Sequence, residues 1–176
     1  DRKKNLPSCR VCGLWERFCV CEFLPRLQSR AEVLLVQHSS ELLRQSNTGR
    51  LVEKMVSPSK IAFWGAENNP FDPSVLQEPE TNYLVLYPRP TARTLESADI
   101  EGPQGEKTCL VLLDATWAQA KSMSRRIPQL KGLPFLSLPQ EETPAWKLRR
   151  SPSKGFCCTL EAVYRALSII EGRTFS

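Results

Sequence analysis

An α/β domain with a mainly parallel sheet and a small zinc-binding lobe at its N-terminus is the fold this sequence predicts. Three observations predict it. Short aliphatic runs, residues 31–37 and 110–113 above all, have the length and apolar continuity of strands buried on both faces. Segments with helical periodicity alternate with these runs, the order typical of parallel α/β sheets. Four cysteines, Cys9, Cys12, Cys19 and Cys21, crowd into 13 residues with little apolar periodicity of their own. The expected division is a lobe over residues 1–30 and the α/β domain over 31–176.

The lobe's spacing is Cys9-x2-Cys12-x6-Cys19-x-Cys21. Such a segment cannot build a core, whereas four thiolates around a tetrahedral zinc ion would fix its loops. A cytosolic setting disfavours disulfides. A disulfide or redox pair stays the alternative, because Cys-x-Cys is tighter than the spacing of common zinc ribbons. Arg10, Gly13, Trp15 and Arg17 lie within this knuckle, positioned as zinc knuckles that touch RNA. Cys109, Cys157 and Cys158 read as packing residues.

The strand at 31–37 delivers His38, the single histidine, at its carboxyl end. No nucleophile-elbow pattern accompanies it. Glu41 and Arg44 sit three apart on an expected helix, where they can pair. Asn47-Thr48-Gly49 interrupts that helix before residues 50–56 resume the apolar pattern. This block is either a surface ion pair with a satisfied histidine or a functional loop. Further strands are expected at 60–64, 83–88 and 133–138, with residues 88–106 as an exposed connection. Pro134 argues for an edge or strand-start position in the last of these.

Residues 110–113 end abruptly in Asp114, and a helix follows from Thr116. Asp114 therefore falls at a strand's carboxyl end, where α/β sheets place ligand chemistry. The plain alternative is a helix cap. Thr116, Trp117, Lys121 and Arg125 fall on the first turns of that helix, with Trp117 either a core anchor or a base-stacking platform. Near the C-terminus, Arg149, Arg150 and Lys154 occupy a polar basic loop that leads into a last helix. The two arginines suit a solvated face, phosphate contact, or capture of a carboxylate. Thr159 reads as that helix's N-cap, and Glu161 complements its positive end. Leu160, Val163, Leu167 and Ile170 form its apolar stripe. A helix start after a loop is also an anion or cofactor site.

At 176 residues, 41% hydrophobic and 24% charged, the chain has enough apolar residues for one core. No apolar run approaches the roughly 20 residues needed to cross a bilayer, and no secretory signal opens the sequence. A cytoplasmic monomer is expected, or a nuclear or organellar protein if further sequence precedes Asp1. The net charge of +5 is unevenly spread. Residues 1–30 carry seven Lys/Arg against three acids and residues 121–154 eight against two, while residues 67–106 hold eight acids against two arginines. Two basic blocks apart from an acidic one suit a face that holds a polyanion, though ordinary solvated surface also explains them. No G-x-G-x-x-G follows the first strand and no P-loop is present, which disfavours a nucleotide-binding Rossmann domain.

Asp114-Ala115-Thr116-Trp117 reads as a D-x-T-W signature, and the chain supplies further blocks in order. These are the cysteine cluster, then His38-x-x-Glu41-x-x-Arg44-x-x-Asn47-Thr48-Gly49, then Leu148-Arg149-Arg150 followed by Cys158-Thr159-Leu160-Glu161-Ala162. Across nearly all of its length the chain thus resembles the DTW-domain family. That resemblance implies a SPOUT-like, trefoil-knotted domain. It also implies a tRNA-uridine aminocarboxypropyltransferase, which moves the 3-amino-3-carboxypropyl group of S-adenosylmethionine onto N3 of a tRNA uridine. The co-substrate is then expected at His38, Asn47, Thr48, Gly49, Pro88, Leu113, Thr159 and Glu161, and tRNA at Arg44, Lys121, Arg125, Arg149, Arg150 and Lys154. Asp114, Thr116 and Trp117 are the expected catalytic residues. Uridine N3 is a poor nucleophile while protonated, so Asp114 is the candidate base, or else it binds the ammonium or sulfonium of S-adenosylmethionine. Two other functions fit some of the features: an RNA methyltransferase using the same donor, and a non-enzymatic zinc-dependent RNA-binding module.

Overall fold

The computed structural model describes residues 7–44, 47–68, 70–140 and 157–172. Six strands lie among them: β1 (Leu27–His38), β2 (Val56–Trp64), β3 (Thr81–Leu86), β4 (Arg93–Thr94), β5 (Lys107–Asp114) and β6 (Phe135–Ser137). They form one sheet in the order β2-β1-β5-β3-β6-β4, with every neighbouring pair parallel. Three α-helices accompany it: α1 (Gly49–Met55), α2 (Trp117–Arg126) and α3 (Thr159–Glu171).

Successive residues of a strand point to opposite faces, so a strand covered on both sides must be apolar at every position. In β1, Val33 and Leu35 join one buried cluster while Leu34 and Val36 join the other. Leu110 and Leu112 of β5 share the first cluster, and Cys109 and Val111 the second. The first face is covered by Leu51 and Val52 of α1, by the apolar stripe of α3, and by Leu14, Val20 and Leu24 of the cysteine lobe. The second is covered by Met123 of α2 with Ile127 and Leu130 beyond it. Each fully buried aliphatic side chain contributes roughly 1.5–3 kcal/mol, and this two-sided core dominates the fold.

Two expectations are corrected, the bare connection 88–106 and the helix after His38, and of the two positions open to Pro134 the strand start is the one found. The connection 88–106 contains β4, whose Arg93 and Thr94 pair with Leu136 and Ser137 and take the sheet edge. Two residues are too few to show a strand pattern. β6 therefore lies inside the sheet, and Pro134 stands just before it, where a missing N–H costs nothing. After β1 the chain makes only a 3-10 turn, Ser39–Glu41, and no helix runs on to Arg44. The His38 ring accepts from the Ser40 amide and fixes this turn.

At the amino ends of the central strands sits a charge cluster. Glu32, 3% exposed, takes Lys107 Nζ at 2.6 Å and Lys60 Nζ at 3.0 Å. Glu78 also takes Lys60, at 2.6 Å. Burial alone would raise the Glu32 carboxyl, but its hydrogen bonds from Lys107 and Lys60 outweigh that and hold it below the usual 4.5. No described helix is long and apolar enough to cross a membrane.

Candidate active site

β5 ends in a carboxylate because its last residue no longer needs to fill a core position. Asp114 is 3% exposed, yet it is fully engaged. Its Oδ2 accepts from Gln37 Nε2 at 2.6 Å and from Asn47 Nδ2 at 2.9 Å, and its Oδ1 accepts from Thr159 Oγ1 at 2.5 Å. Asn47 also donates to Glu41 Oε2 at 3.1 Å, and Glu41 pairs with Arg44 at 3.2 Å. One buried network therefore ties the ends of β1 and β5 to the starts of α1 and α3. Gly49 is part of the fit: a Cβ there would collide with the Asp114 carboxylate. Asp114 does not cap α2. That part belongs to Thr116, whose hydroxyl accepts from Gln119 N while Gln119 Oε1 accepts from Thr116 N. Thr159, expected as an N-cap, is the first residue of α3, with Cys158 in the cap position. Its hydroxyl serves Asp114 instead.

A cavity of about 490 Å³ opens outside the carboxyl ends of β3, β5 and β6. Pro88, Leu113, Trp117 and Thr159 line it, together with Tyr87 and Cys157. The Tyr87 and Trp117 rings stand 6.2 Å apart at 36°. Arg89, the one charged residue among the described lining, lies with its guanidinium carbon 3.4 Å from the centre of the Phe135 ring. Burial pushes the Cys157 thiol up to about 11, with the Glu161 charge adding to it, so Cys157 is a protonated wall residue and no nucleophile. The Asp114 carboxylate is not on this wall, although Leu113 and Ala115 on either side of it are.

The other expected residues fall into separate groups. His38 is not among the cavity lining: its Nδ1 lies 2.9 Å from Ser40 Oγ and 3.4 Å from Gln119 Nε2, and its ring packs against Trp64. His38 and Thr116 are thus joined through Gln119. Thr48 is the N-cap of α1 without a side-chain cap bond, and Glu161 is buried in the first turn of α3. Arg44, Lys121 and Arg125 are exposed, the last two one turn apart on α2. Arg149, Arg150 and Lys154 lie outside the described residues. The sequence reading missed Gln37, Gln119 and Arg89. A glutamine closing an apolar run was a usable signal for Gln37; Arg89 offered none beyond following Pro88.

In the lobe, the four Sγ atoms lie within 4.8 Å of one another. Cys9 and Cys21 are 3.8 Å apart, Cys12 and Cys19 3.9 Å. Zinc–thiolate bonds of about 2.3 Å place tetrahedral sulfurs about 3.8 Å apart, whereas a disulfide needs about 2 Å. All four cysteines are free, and their arrangement fits a tetrahedral ion. The backbone amides of Cys12 and Val11 pull the Cys9 thiol down to about 6, whereas Cys19 is raised and burial with the neighbouring thiols pushes Cys21 up to about 12, so a metal would have to displace protons on binding.

A family model described as the DTW domain matches residues 6–176. Three curated proteins, each named tRNA-uridine aminocarboxypropyltransferase 2, align with nearly the whole chain. The Drosophila melanogaster protein is 28% identical over 98% of this chain and 70% of its own length. Those of Macaca fascicularis and Mus musculus are 26% and 27% identical over 98% and 97% of this chain, which spans 59% of each. No solved structure gives a significant match. The D-x-T-W segment lies at the mouth of a strand-end cavity, and the family model covers the chain from the cysteine lobe to its last residue: the chain belongs to the DTW-domain family.

Proposed function

We propose that the chain transfers the 3-amino-3-carboxypropyl group of S-adenosylmethionine to N3 of a tRNA uridine; the relatives' names support aminocarboxypropyl transfer to a tRNA uridine, and the donor and the N3 position come from the family resemblance. The observation that carries this reading is the cavity of about 490 Å³ beside the D-x-T-W segment, which has the volume and mainly apolar wall of small-molecule sites. The sulfonium donor supplies an electrophilic carbon: the N3–C bond forms as the C–S bond breaks, methylthioadenosine leaves as a neutral thioether, and the N3 proton passes to solvent water. Tyr87 and Trp117 offer flat walls and exclude water. Arg89 is the charge suited to the donor's carboxylate and selects which carbon is presented.

Asp114 now reads as a positioning residue. Its oxygens are committed to Gln37, Asn47 and Thr159, which holds the start of α3 at the cavity and leaves no part of the carboxylate on its wall. Zinc at Cys9, Cys12, Cys19 and Cys21 would cross-link the lobe. Arg44, Lys121, Arg125, Arg149, Arg150 and Lys154 are assigned to tRNA phosphates. The knotted SPOUT-like class is part of this proposal and rests on the resemblance to the DTW-domain family; the parallel α/β sheet is compatible with it.

Incubation with tRNA and S-adenosylmethionine tests the reading. The expected result is methylthioadenosine together with an aminocarboxypropyl mass increase on a uridine. Release of S-adenosylhomocysteine with methylated tRNA would make the protein a methyltransferase. Absence of both turnover and donor binding would leave an RNA-binding module.

A further inference from the structure

The cysteine lobe leaves two phenylalanines in water: Phe18 is 54% exposed and Phe23 81%. Neither is on a floppy tail. Phe18 closes the 3-10 turn Glu16–Phe18 directly before Cys19, and Phe23 closes the turn Cys21–Phe23. The four clustered thiols anchor both turns, and the Phe18 amide donates to Trp15 O at 2.7 Å. A cation lies beside the first of these rings: the Arg17 guanidinium carbon is 4.7 Å from the Phe18 ring centre and 5.3 Å from that of Trp15, and those two rings stand 6.0 Å apart at 40°. A segment with so few apolar residues gains stability by burying its aromatic rings. Presenting them rigidly, beside arginine, is the composition of surfaces on which nucleic-acid bases stack.

We infer that Phe18 and Phe23, with Trp15 and Arg17 beside Phe18, form a platform for unpaired RNA bases. This rests on the proposed tRNA substrate and adds to it where the RNA is gripped. The charge is complementary, since residues 1–30 carry seven Lys/Arg against three acids. Paired bases hide their faces in the duplex, so the fitting occupant is a loop or single strand. The lobe is also joined to the site. Gly13, at φ 72°, packs against the Arg50 side chain of α1, and Arg50 in turn donates to Leu42 O in the segment that leads to Asn47. The lobe that bears the platform thus packs against the helix that starts beside the Asp114 network.

The test compares the whole chain with its F18A/F23A variant in binding a tRNA transcript, an oligouridylate and a duplex RNA of equal length. Both rings are exposed, so metal content and thermal midpoint should not change. Affinity for tRNA and oligouridylate should fall by about tenfold or more, the scale of lost base stacking, with duplex binding and salt dependence unaltered. Unchanged affinity, an equal loss on duplex, or ring-dependent binding to phosphatidylserine vesicles in place of RNA would overturn the platform. If the wild type modifies tRNA and the variant keeps its KM for tRNA, the platform fails and the function stands. If the rings bind oligouridylate but no transfer occurs, the function fails and the platform stands.

Discussion

Asp114 offers its surroundings two things, a shape and a charge, and different substitutions separate them. In Asp114→Asn one oxygen can still accept from Gln37 and Asn47, while the new amide donates to the Thr159 hydroxyl. Asp114→Ala instead takes one acceptor from each of the Gln37 and Asn47 amides, which are 1% and 3% exposed, and leaves them only Asn47 Oδ1 and Glu41 Oε2. The expected cost of the alanine is about 3 kcal/mol, read in denaturant melts, with the asparagine within about 1 kcal/mol of wild type. Transfer should follow the same order: asparagine within several-fold of wild type, alanine far below it. A loss on the order of 10²-fold in single-turnover transfer for the asparagine variant, with donor binding intact, would restore Asp114 as the base. The aspartate's strand-end position was legible in the sequence because the aliphatic run stops there. Its partners were not, since they stand 77, 67 and 45 residues away. Cavity membership was equally hidden: Leu113 and Asp114 are adjacent in sequence, yet only Leu113 lines the cavity.

The strands that carry apolar runs were readable; the short pieces were not. β1 and β5 announce themselves because both faces of the sheet are covered, while β4 consists of two exposed residues held by β6. Two buried polar positions in β1 defy the apolar pattern, Gln37 of the Asp114 network and Glu32. Glu32 is buried among Lys107 and Lys60 from the two neighbouring strands, so its charge ties β1 to β2 and β5. Its carboxyl is held below 4.5 in the folded chain. A depressed carboxyl stabilises fully above its unfolded value, and the stabilisation is lost as pH falls through the folded value. Wild-type stability should therefore decline as pH drops below about 4.5, and Glu32→Gln should flatten that decline. At neutral pH the variant should be less stable by about 1–2 kcal/mol, a figure kept below that of a fully buried pair because the lysine side chains are about half exposed. Melts across pH check both parts; parallel curves for the two proteins would show that Glu32 does not couple these strands.

At the scale of the whole molecule, the lobe is the cover of one sheet face. Cys12 is fully buried, and Leu14, Val20 and Leu24 pack against the cluster that α1 and α3 share with β1 and β5. The sequence showed why this cover needs a cross-link, since the segment has too few apolar residues to hold its shape; it could not show where the lobe packs. Without an ion nothing joins the four sulfurs, which lie within 4.8 Å of one another, and the loops bearing those leucines lose their anchor. The other face, with α2 and its own cluster, is untouched by that loss. Chelation under reducing conditions should therefore loosen the molecule without unfolding it. If the lobe's packing contributes about 3 kcal/mol, the thermal midpoint should drop by about 10 °C, given roughly 2–4 °C per kcal/mol for a chain of this length. Sheet circular dichroism should persist, and added zinc should restore the melt. Cys19→Ser should reproduce the chelated state and bind less than one zinc per chain. Metal analysis that finds no zinc in protein purified without chelator, or a melt indifferent to chelation, would show that the thiols cluster without a metal and that packing alone holds the lobe.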